Sequence, residues 1–116
     1  MVLQGGMLMN LSEYQHLSKR TLNKELTHEE VLANMCMGIS GEGGEVSDII
    51  KKHLFQGHEL NYKDLIEEIG DVMFYIVNLC NVLGLDLETI LELNFQKLFR
   101  RYPEGFEESK SINREL

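Results

Sequence analysis

Two pairs of acidic residues are the part of this sequence best suited to chemistry. Glu42 and Glu45 form the first pair, and Glu68 and Asp71 form the second. Residues three apart on a helix lie on one face, with their Cβ atoms about 5–6 Å apart. Each pair on a helix would therefore present two carboxylates to one point, and two such helices side by side would gather four.

Both pairs lie on helical stripes that also carry apolar side chains. Val46 shares the stripe of Glu42, and Leu65 and Val72 share that of Glu68. Carboxylates on a core-facing stripe lose hydration and repel one another, unless they are protonated, paired with Lys or Arg, or bound to a divalent cation. Because carboxylate oxygens are the ligands that Mg²⁺ prefers, the pattern predicts a magnesium site.

Two other interpretations of acidic helices compete with this one. The glutamates can lie on solvated faces and bind nothing, and this alternative stays open. Di-iron bundles need Glu-x-x-His on two helices, but neither acidic pair has a histidine at that place. The one Glu-x-x-His match, Glu25 and His28, spans a loop and a helix start, so it does not indicate such a site.

The glycines around the first acidic pair are not typical of a phosphate-binding loop. Such a loop places glycine N–H groups at a helix N-terminus, whereas Gly38, Gly41, Gly43 and Gly44 come about ten residues after the helix start at Thr27. Carboxylates also stand where an anion would need donors. We therefore expect a helix whose missing side chains at Gly38 and Gly41 leave space for substrate or for a neighbouring helix.

Four helical segments must position these groups. The apolar periodicity predicts helices at about residues 11–22, 27–55, 61–83 and 86–102. Ser12, Thr27 and Asp86 are the expected N-cap residues. The links are short, so consecutive helices should be antiparallel neighbours. The sequence therefore predicts an all-α, antiparallel four-helix bundle-like domain over residues 11–116, after a flexible leader over residues 1–10.

Composition and charge narrow the class of protein. The chain has 116 residues, of which 43% are apolar, and this suits one packed domain. The formal net charge of −8 repels the phosphates of nucleic acids. No apolar run approaches the roughly 20 residues of a membrane span. Cys36 and Cys80 lie in apolar helical patterns, which predicts buried free thiols in a reducing, cytoplasmic environment.

The fourth predicted helix carries the opposite charge. Asn94, Lys97 and Arg101 follow one another at spacings of three and four, so they share a helix face. An amide, an ammonium and a guanidinium on one face could line a polyphosphate. A solvated helix end is the alternative, because cations are favourable near a helix C-terminus.

Together these residues resemble the MazG-like nucleotide pyrophosphohydrolases of the all-α NTP pyrophosphatase superfamily. The resemblance covers about Leu11 to Arg114. It rests on Thr21 and on the stretches EYQ (residues 13–15), GISGEGGEVSDIIKKHLFQGHEL (38–60), LIEEIGDVMFYI (65–76) and LNFQKLFRRYPEGF (93–106). The two acidic motifs in consecutive helices are specific only in combination.

The resemblance implies hydrolysis of a nucleoside triphosphate, or its deoxy form, to the monophosphate and pyrophosphate. It implies Mg²⁺ as cofactor, with Mn²⁺ as a substitute, and assembly as a homodimer or homotetramer. The implied metal ligands are Glu42, Glu45, Glu68 and Asp71. One of the first two should activate the attacking water, in preference to Glu67.

Substrate contacts are expected on three of the helices. The resemblance suits phosphate or nucleotide contacts at Lys52, Asn94, Lys97, Arg101 and Tyr102. Lys97 and Arg101 would hold the departing pyrophosphate. We expect the base in an apolar slot between the first two helices, near Tyr14, Gln15 and His16. Arg114 in the tail is a further candidate for phosphate.

Two other functions remain alternatives. One is phosphoribosyl-ATP pyrophosphohydrolase, which uses similar acidic helices, although the stretch KKHLFQG (residues 51–57) favours the MazG-like branch. The other is a non-catalytic helical interaction module, in which the acidic pairs are solvated and the fourth helix binds a protein. Release of pyrophosphate from a triphosphate would separate the enzymes from the module.

Overall fold

The computed structural model describes residues 9–114 of the chain. Helices account for 76% of these described residues. The described residues contain no β-strand, only one isolated bridge between Pro103 and Gly105. The helices are α1 (Leu11–Leu17), a 3₁₀ turn (Ser18–Thr21), α2 (His28–Phe55), α3 (Tyr62–Leu83), α4 (Leu87–Arg101) and α5 (Glu108–Ile112). The predicted all-α class is confirmed.

The first helix begins and ends differently from the prediction. Its N-cap is Asn10, whose Oδ1 accepts a hydrogen bond from the Glu13 amide at 2.8 Å, so the prediction of Ser12 is wrong. The α-helix stops at Leu17, where a 3₁₀ turn replaces the predicted helix to residue 22. The Ser18 hydroxyl donates to the Gln15 carbonyl at 3.1 Å. Such side-chain bonds compete with helical ones. The rest of the predicted leader, residues 1–8, lies outside the described residues.

The other helix starts follow the sequence signals. Thr27 and Glu30 form a capping box, in which each side chain accepts a hydrogen bond from the other residue's backbone N–H, at 3.2 and 2.9 Å. Asp86 caps α4, because its carboxylate accepts from the Thr89 amide and hydroxyl. Gly84 ends α3 with φ at +70°, in the left-handed region that glycine adopts without a steric cost.

The chain divides into two compact units. The N-terminal unit, Met1–Leu85, contains α1, α2 and α3, and the C-terminal unit, Asp86–Leu116, contains α4 and α5. The sequence analysis did not predict α5, because its five residues lie in a polar tail without apolar periodicity. The prediction of one domain over residues 11–116 stays a prediction.

Helices α2 and α3 form the centre of the N-terminal unit. Gly38 lies against the ring of Tyr75 so closely that a Cβ at Gly38 would overlap it. Of the two alternatives for Gly38, space for substrate or for a neighbouring helix, the structure shows the second. At Gly41 an added Cβ would meet nothing within 4 Å. The core includes Met35 of α2 and Val77 of α3, which are 2% and 0% exposed.

A buried polar network joins α1 and the 3₁₀ turn to α3. Asn78 is fully buried, and its Nδ2 donates to Ser18 Oγ at 3.1 Å and to the Phe74 carbonyl at 3.0 Å. Asn81 Nδ2 donates to the Gln15 carbonyl and to Asn78 Oδ1, each at 2.9 Å. Buried amides must be satisfied in this way, because an unpaired one costs about 1–3 kcal/mol. The network therefore orients α1 on α3.

The two cysteines differ in burial. Cys80 is buried and Cys36 is exposed, and neither forms a disulfide. The predicted burial of Cys36 is wrong. Its neighbour Met35 takes the core-facing position on α2. Because successive side chains on a helix differ in direction by about 100°, Cys36 points away from the core.

The described helices are short or polar relative to a membrane span. No single helix among them is long and apolar enough to cross a membrane. The consecutive helices Tyr62–Leu83 and Leu87–Arg101 pass the test only as a bent pair, by length and composition alone.

Candidate active site

Helices α2 and α3 bring three of the four predicted metal ligands together. Carboxylate oxygens of Glu42, Glu68 and Asp71 all lie within 4.8 Å of one another. Glu42 and Glu68 are partly buried, and Asp71 is exposed. Gly38 faces Tyr75 one turn before Glu42, so the two helices run antiparallel and their acidic turns meet. We call these three residues the acidic trio.

Glu45 lies beside the acidic trio and not within it. Its side chain is exposed, and it lines a neighbouring cleft of about 430 Å³. Asp48, Lys52 and Glu68 line the same cleft. Glu45 is close enough for its charge to act on Glu68. Its predicted role as a metal ligand stays a prediction.

Glu68 is the carboxylate most affected by this arrangement. Hydrogen bonding to Glu42, followed by burial and by the charges of Glu42, Asp71 and Glu45, raises the pKa of Glu68 from 4.5 to about 7. Its Oε2 is buried and has no hydrogen-bond partner among the described residues. At pH 7 the Glu68 carboxyl is therefore about half protonated, and one of its oxygens has no hydrogen-bond partner within the described residues. The protein by itself leaves this group poorly satisfied.

No basic side chain neutralises the acidic trio within residues 9–114. The ion pairs recorded there join Asp48 to Lys52 at 2.7 Å and to Lys51 at 3.5 Å. Lys and Arg therefore do not offset the charge of the acidic trio. Protonation or a bound cation remains as the way to offset it. Three convergent oxygen ligands, one of them unsatisfied, fit a hard divalent cation. Lys52 as a substrate contact stays a prediction, and its ammonium is occupied by Asp48.

The candidates on α1 lie near α3. Burial and the charge of Asp71 raise the pKa of Tyr14, so this phenol lies within electrostatic reach of Asp71. Gln15 Nε2 donates to Asn81 Oδ1 at 3.0 Å and to the Leu85 carbonyl at 2.9 Å. These two hydrogen bonds hold α1 against α3 and against Leu85, which follows it. Its predicted contact with substrate stays a prediction, as does that of the exposed His16.

The candidates on α4 are only partly brought together. Lys97 and Arg101 line a cleft of about 500 Å³ in the C-terminal unit, whereas Asn94 and Tyr102 do not line it. The Arg101 Cζ lies 5.9 Å from the centre of the Tyr102 ring. The substrate roles of these four residues stay predictions, and so does that of Arg114, which is outside the cleft lining.

The sequence analysis missed two further cations in this cleft. Arg100 and Lys110 line it together with Lys97 and Arg101. Arg100 directly precedes Arg101, and the RRYP stretch (residues 100–103) was the signal that could have found it. Lys110 lies in the polar tail, and only the fold of α5 brings it to α4.

Comparison with known proteins shows the family of this chain. A family model described as the MazG nucleotide pyrophosphohydrolase domain matches residues 26–106. The chain therefore belongs to the MazG nucleotide pyrophosphohydrolase domain family, as its resemblance implied. It is also 36% identical over 89 residues to the Gene 37 protein of Mycobacterium phage L5, covering 73% of this chain and 78% of that protein. No solved structure matches significantly.

Proposed function

We propose that this protein is a Mg²⁺-dependent nucleoside triphosphate pyrophosphohydrolase, which converts a (d)NTP to the (d)NMP and pyrophosphate. The supporting observation is the acidic trio, which has an unsatisfied buried oxygen and no basic partner within the described residues. Mn²⁺ is expected to substitute for Mg²⁺, because both prefer oxygen ligands. The reducing cytoplasm is the proposed compartment.

Each acidic residue has a part in the proposed reaction. Glu42, Glu68 and Asp71 would hold the cation, which when bound supplies charge neutralisation and a more acidic water. Glu45, exposed beside them, accepts the proton of the attacking water. The water oxygen forms a bond to the α-phosphorus. The bond from that phosphorus to the bridging oxygen breaks, and pyrophosphate leaves with the bond's electron pair.

The C-terminal unit has candidate phosphate contacts of its own. Lys97 and Arg101 line one cleft of this unit. A guanidinium and an ammonium suit phosphate oxygens, which they bind through charge-assisted hydrogen bonds.

Pyrophosphate release tests the proposal directly. It is measured across canonical and damaged (d)NTPs with Mg²⁺, with phosphoribosyl-ATP included to separate the alternative enzyme. Glu68→Gln should abolish release, because it removes a ligand charge from the acidic trio. Glu67→Gln is the matched control, since Glu67 is an exposed neighbour outside the trio. The absence of release from every triphosphate would refute the proposal and favour the interaction module.

We also propose that the protein assembles with a second copy of itself. The support is an apolar stripe on α3, where Tyr62, Ile66 and Ile69 are 67%, 60% and 48% exposed. Met73 and Ile76 continue the stripe at alternating spacings of four and three. This is the repeat through which two identical helices pack together.

The oligomeric state is measured by light scattering coupled to size exclusion. The wild-type protein should have at least twice the 13.4 kDa mass of one chain. Ile66→Glu should shift it to the monomer, while Lys63→Glu, a neighbouring exposed position, should not. A monomeric wild-type protein would contradict the proposal and assign the stripe to other contacts.

A further inference from the structure

Asn78 of α3 is a fully buried polar side chain, with 0% of its surface exposed. It lies outside the acidic trio and has no part in the proposed reaction. We propose that Asn78 is a positioning residue for the nucleotide, because it fixes α1 as a wall of the site on which substrate affinity depends. The identity of the ligand rests on the proposed function, but the docking of α1 can be measured without hydrolysis.

The side-chain amide of Asn78 has a hydrogen-bond partner for each of its polar groups. Its Nδ2 donates to Ser18 Oγ at 3.1 Å and to the Phe74 carbonyl at 3.0 Å. Its Oδ1 accepts from Asn81 Nδ2 at 2.9 Å. An amide has two hydrogens to donate and one oxygen that accepts, so these bonds fix its orientation. Asn78 thereby connects α3 to the 3₁₀ turn and to the contacts that Asn81 makes with α1.

Helix α1 is attached to α3 through hydrogen bonds and has no buried apolar side chain. None of its seven residues is buried. Gln15 Nε2 donates to Asn81 Oδ1 at 3.0 Å, and Asn81 Nδ2 donates to the Gln15 carbonyl at 2.9 Å. A helix of this length is not stable by itself in water. The position of α1 therefore depends on the network around Asn78 and Asn81.

Stability alone does not require an amide at this buried position. Replacing both partners of a buried hydrogen bond by apolar groups of the same shape is nearly neutral for stability. An apolar contact, however, is not directional, whereas a hydrogen bond weakens steeply when its angle or distance changes. A buried and fully connected network of this kind favours one orientation. We therefore assign to Asn78 the orientation of α1 rather than its mere attachment.

Asn78 lies on the same face of α3 as one member of the acidic trio. Asp71, Tyr75 and Asn78 are four and three residues apart, so they share a helix face. Asn78 is about 10 Å from Asp71 along the helix axis. Helix α2 covers this face at Tyr75, through Gly38, and the turn after α1 covers it at Asn78. The docked α1 therefore lies close to the candidate active site.

Tyr14 is the side chain through which α1 would act on the nucleotide. It precedes Gln15 in the chain and is partly buried. Burial and the charge of Asp71 raise its pKa, so the phenol lies within electrostatic reach of the acidic trio. Aromatic rings stack on nucleobases and bind them in this way. A displaced α1 would carry this ring away from the site, and the nucleotide would bind more weakly.

Steady-state kinetics of Asn78→Leu test the positioning role, because leucine has a similar size but forms no hydrogen bond. For the (d)NTP that the wild-type protein hydrolyses fastest, KM should rise about tenfold and kcat should change less than about twofold. Such a split indicates a contact made equally in the ground state and the transition state. Ser18→Ala removes one partner of Asn78 and should raise KM about threefold. The double variant should resemble Asn78→Leu, since both changes act through the same contact.

Val77→Ala is the matched control for a purely structural effect. Val77 adjoins Asn78 and is 0% exposed, so its truncation leaves a cavity and lowers the melting temperature. It should nevertheless leave KM unchanged. Hydrogen exchange should accelerate at the α1 amides in Asn78→Leu and Ser18→Ala but not in Val77→Ala.

Two results would overturn the positioning role. One is a wild-type KM in both Asn78→Leu and Ser18→Ala, and the other is unchanged exchange of α1 in both. Circular dichroism checks that each variant is folded. Ser18→Ala decides the matter if Asn78→Leu is not folded, because Ser18 lies on the turn and is only partly buried.

Binding of nucleoside monophosphates distinguishes this inference from the proposed hydrolysis. Calorimetry with the canonical (d)NMPs and Mg²⁺ requires no turnover. If the wild-type protein binds a (d)NMP but releases no pyrophosphate, the hydrolase is refuted, and weaker binding by Asn78→Leu still supports the positioning role. If the wild-type protein hydrolyses and Asn78→Leu keeps its KM and its (d)NMP affinity, only the positioning role is refuted. Neither binding nor hydrolysis by the wild-type protein would refute both.

Discussion

The N-terminal and C-terminal units hold opposite charges in different ways. In the N-terminal unit, two long helices of 28 and 22 residues place three carboxylates within 4.8 Å of one another. In the C-terminal unit, the end of a 15-residue helix and a five-residue helix surround a wider cleft with cations. Neither group is neutralised by ion pairs within residues 9–114.

The two groups of charges differ in how precisely their side chains must be placed to bind a ligand. A hard divalent cation needs several oxygens at about 2.0–2.6 Å, which only a rigid backbone can arrange. Long cationic side chains can adjust to a flexible anion and need no such accuracy. The closely packed helix pair therefore suits a metal, and the cleft at the helix end suits phosphate. The following predictions test this contrast.

Loss of the metal ligands should have the largest effect. The combined Glu42→Gln and Glu68→Gln substitutions should lower pyrophosphate release by more than about 100-fold. Mutation of residues that only hydrogen-bond to metal ligands already lowers activity about 10–100-fold. The increase in melting temperature caused by Mg²⁺ should also disappear. Glu67→Gln provides the control in both assays. A retained thermal shift in the double variant would place the metal elsewhere.

Close packing of α2 on α3 should be the next most sensitive feature. Gly38→Ala should destabilise the protein by about 1–3 kcal/mol, because the new methyl group overlaps the Tyr75 ring. Gly41→Ala should instead stabilise it by up to about 1 kcal/mol, since it has open space and gains helix propensity. Urea unfolding measures both. Equal changes in stability for the two variants would show that α2 and α3 are not closely packed at Gly38.

The charge of the acidic trio should make the metal-free protein sensitive to pH. The pKa of Glu68 is about 7 in the folded protein, above its ordinary value of 4.5. Its contribution to stability is therefore fully present below pH 4.5 and is lost as the pH rises through about 7. Melting temperatures in EDTA should fall over this range relative to those of Glu68→Gln. Parallel pH profiles of the two proteins would contradict the raised pKa.

An ion pair that is already formed should contribute least. Lys52 and Asp48 lie 2.7 Å apart, but their side chains are 44% and 38% exposed. Lys52→Gln should therefore leave the midpoint of urea unfolding almost unchanged, because water screens exposed pairs. Its effect on pyrophosphate release is measured separately. A large loss of release with normal stability would support the predicted contact between Lys52 and substrate.

The sequence predicted the elements whose signals are local. The capping box at Thr27 and the cap at Asp86 depend on side chains three residues away, so they follow from spacing alone. The first helix was less predictable, because Asn10 and Ser12 are both good caps and the choice depends on the Glu13 contacts. The burial of Cys36 was mispredicted because apolar periodicity does not show which neighbour takes the core position.

The sequence by itself determined the helical class, the spacing of the acidic pairs and the grouping of Lys97 with Arg101, because helical periodicity alone sets which neighbours share a face. Only the tertiary structure decided which carboxylates converge. Gly38 admits the Tyr75 ring, and the resulting pairing of α2 with α3 gathers Glu42, Glu68 and Asp71 but leaves Glu45 beside them. Likewise, Lys110 reaches the cleft only because the chain turns after α4. Contacts between distant residues depend on packing, which local spacing does not specify.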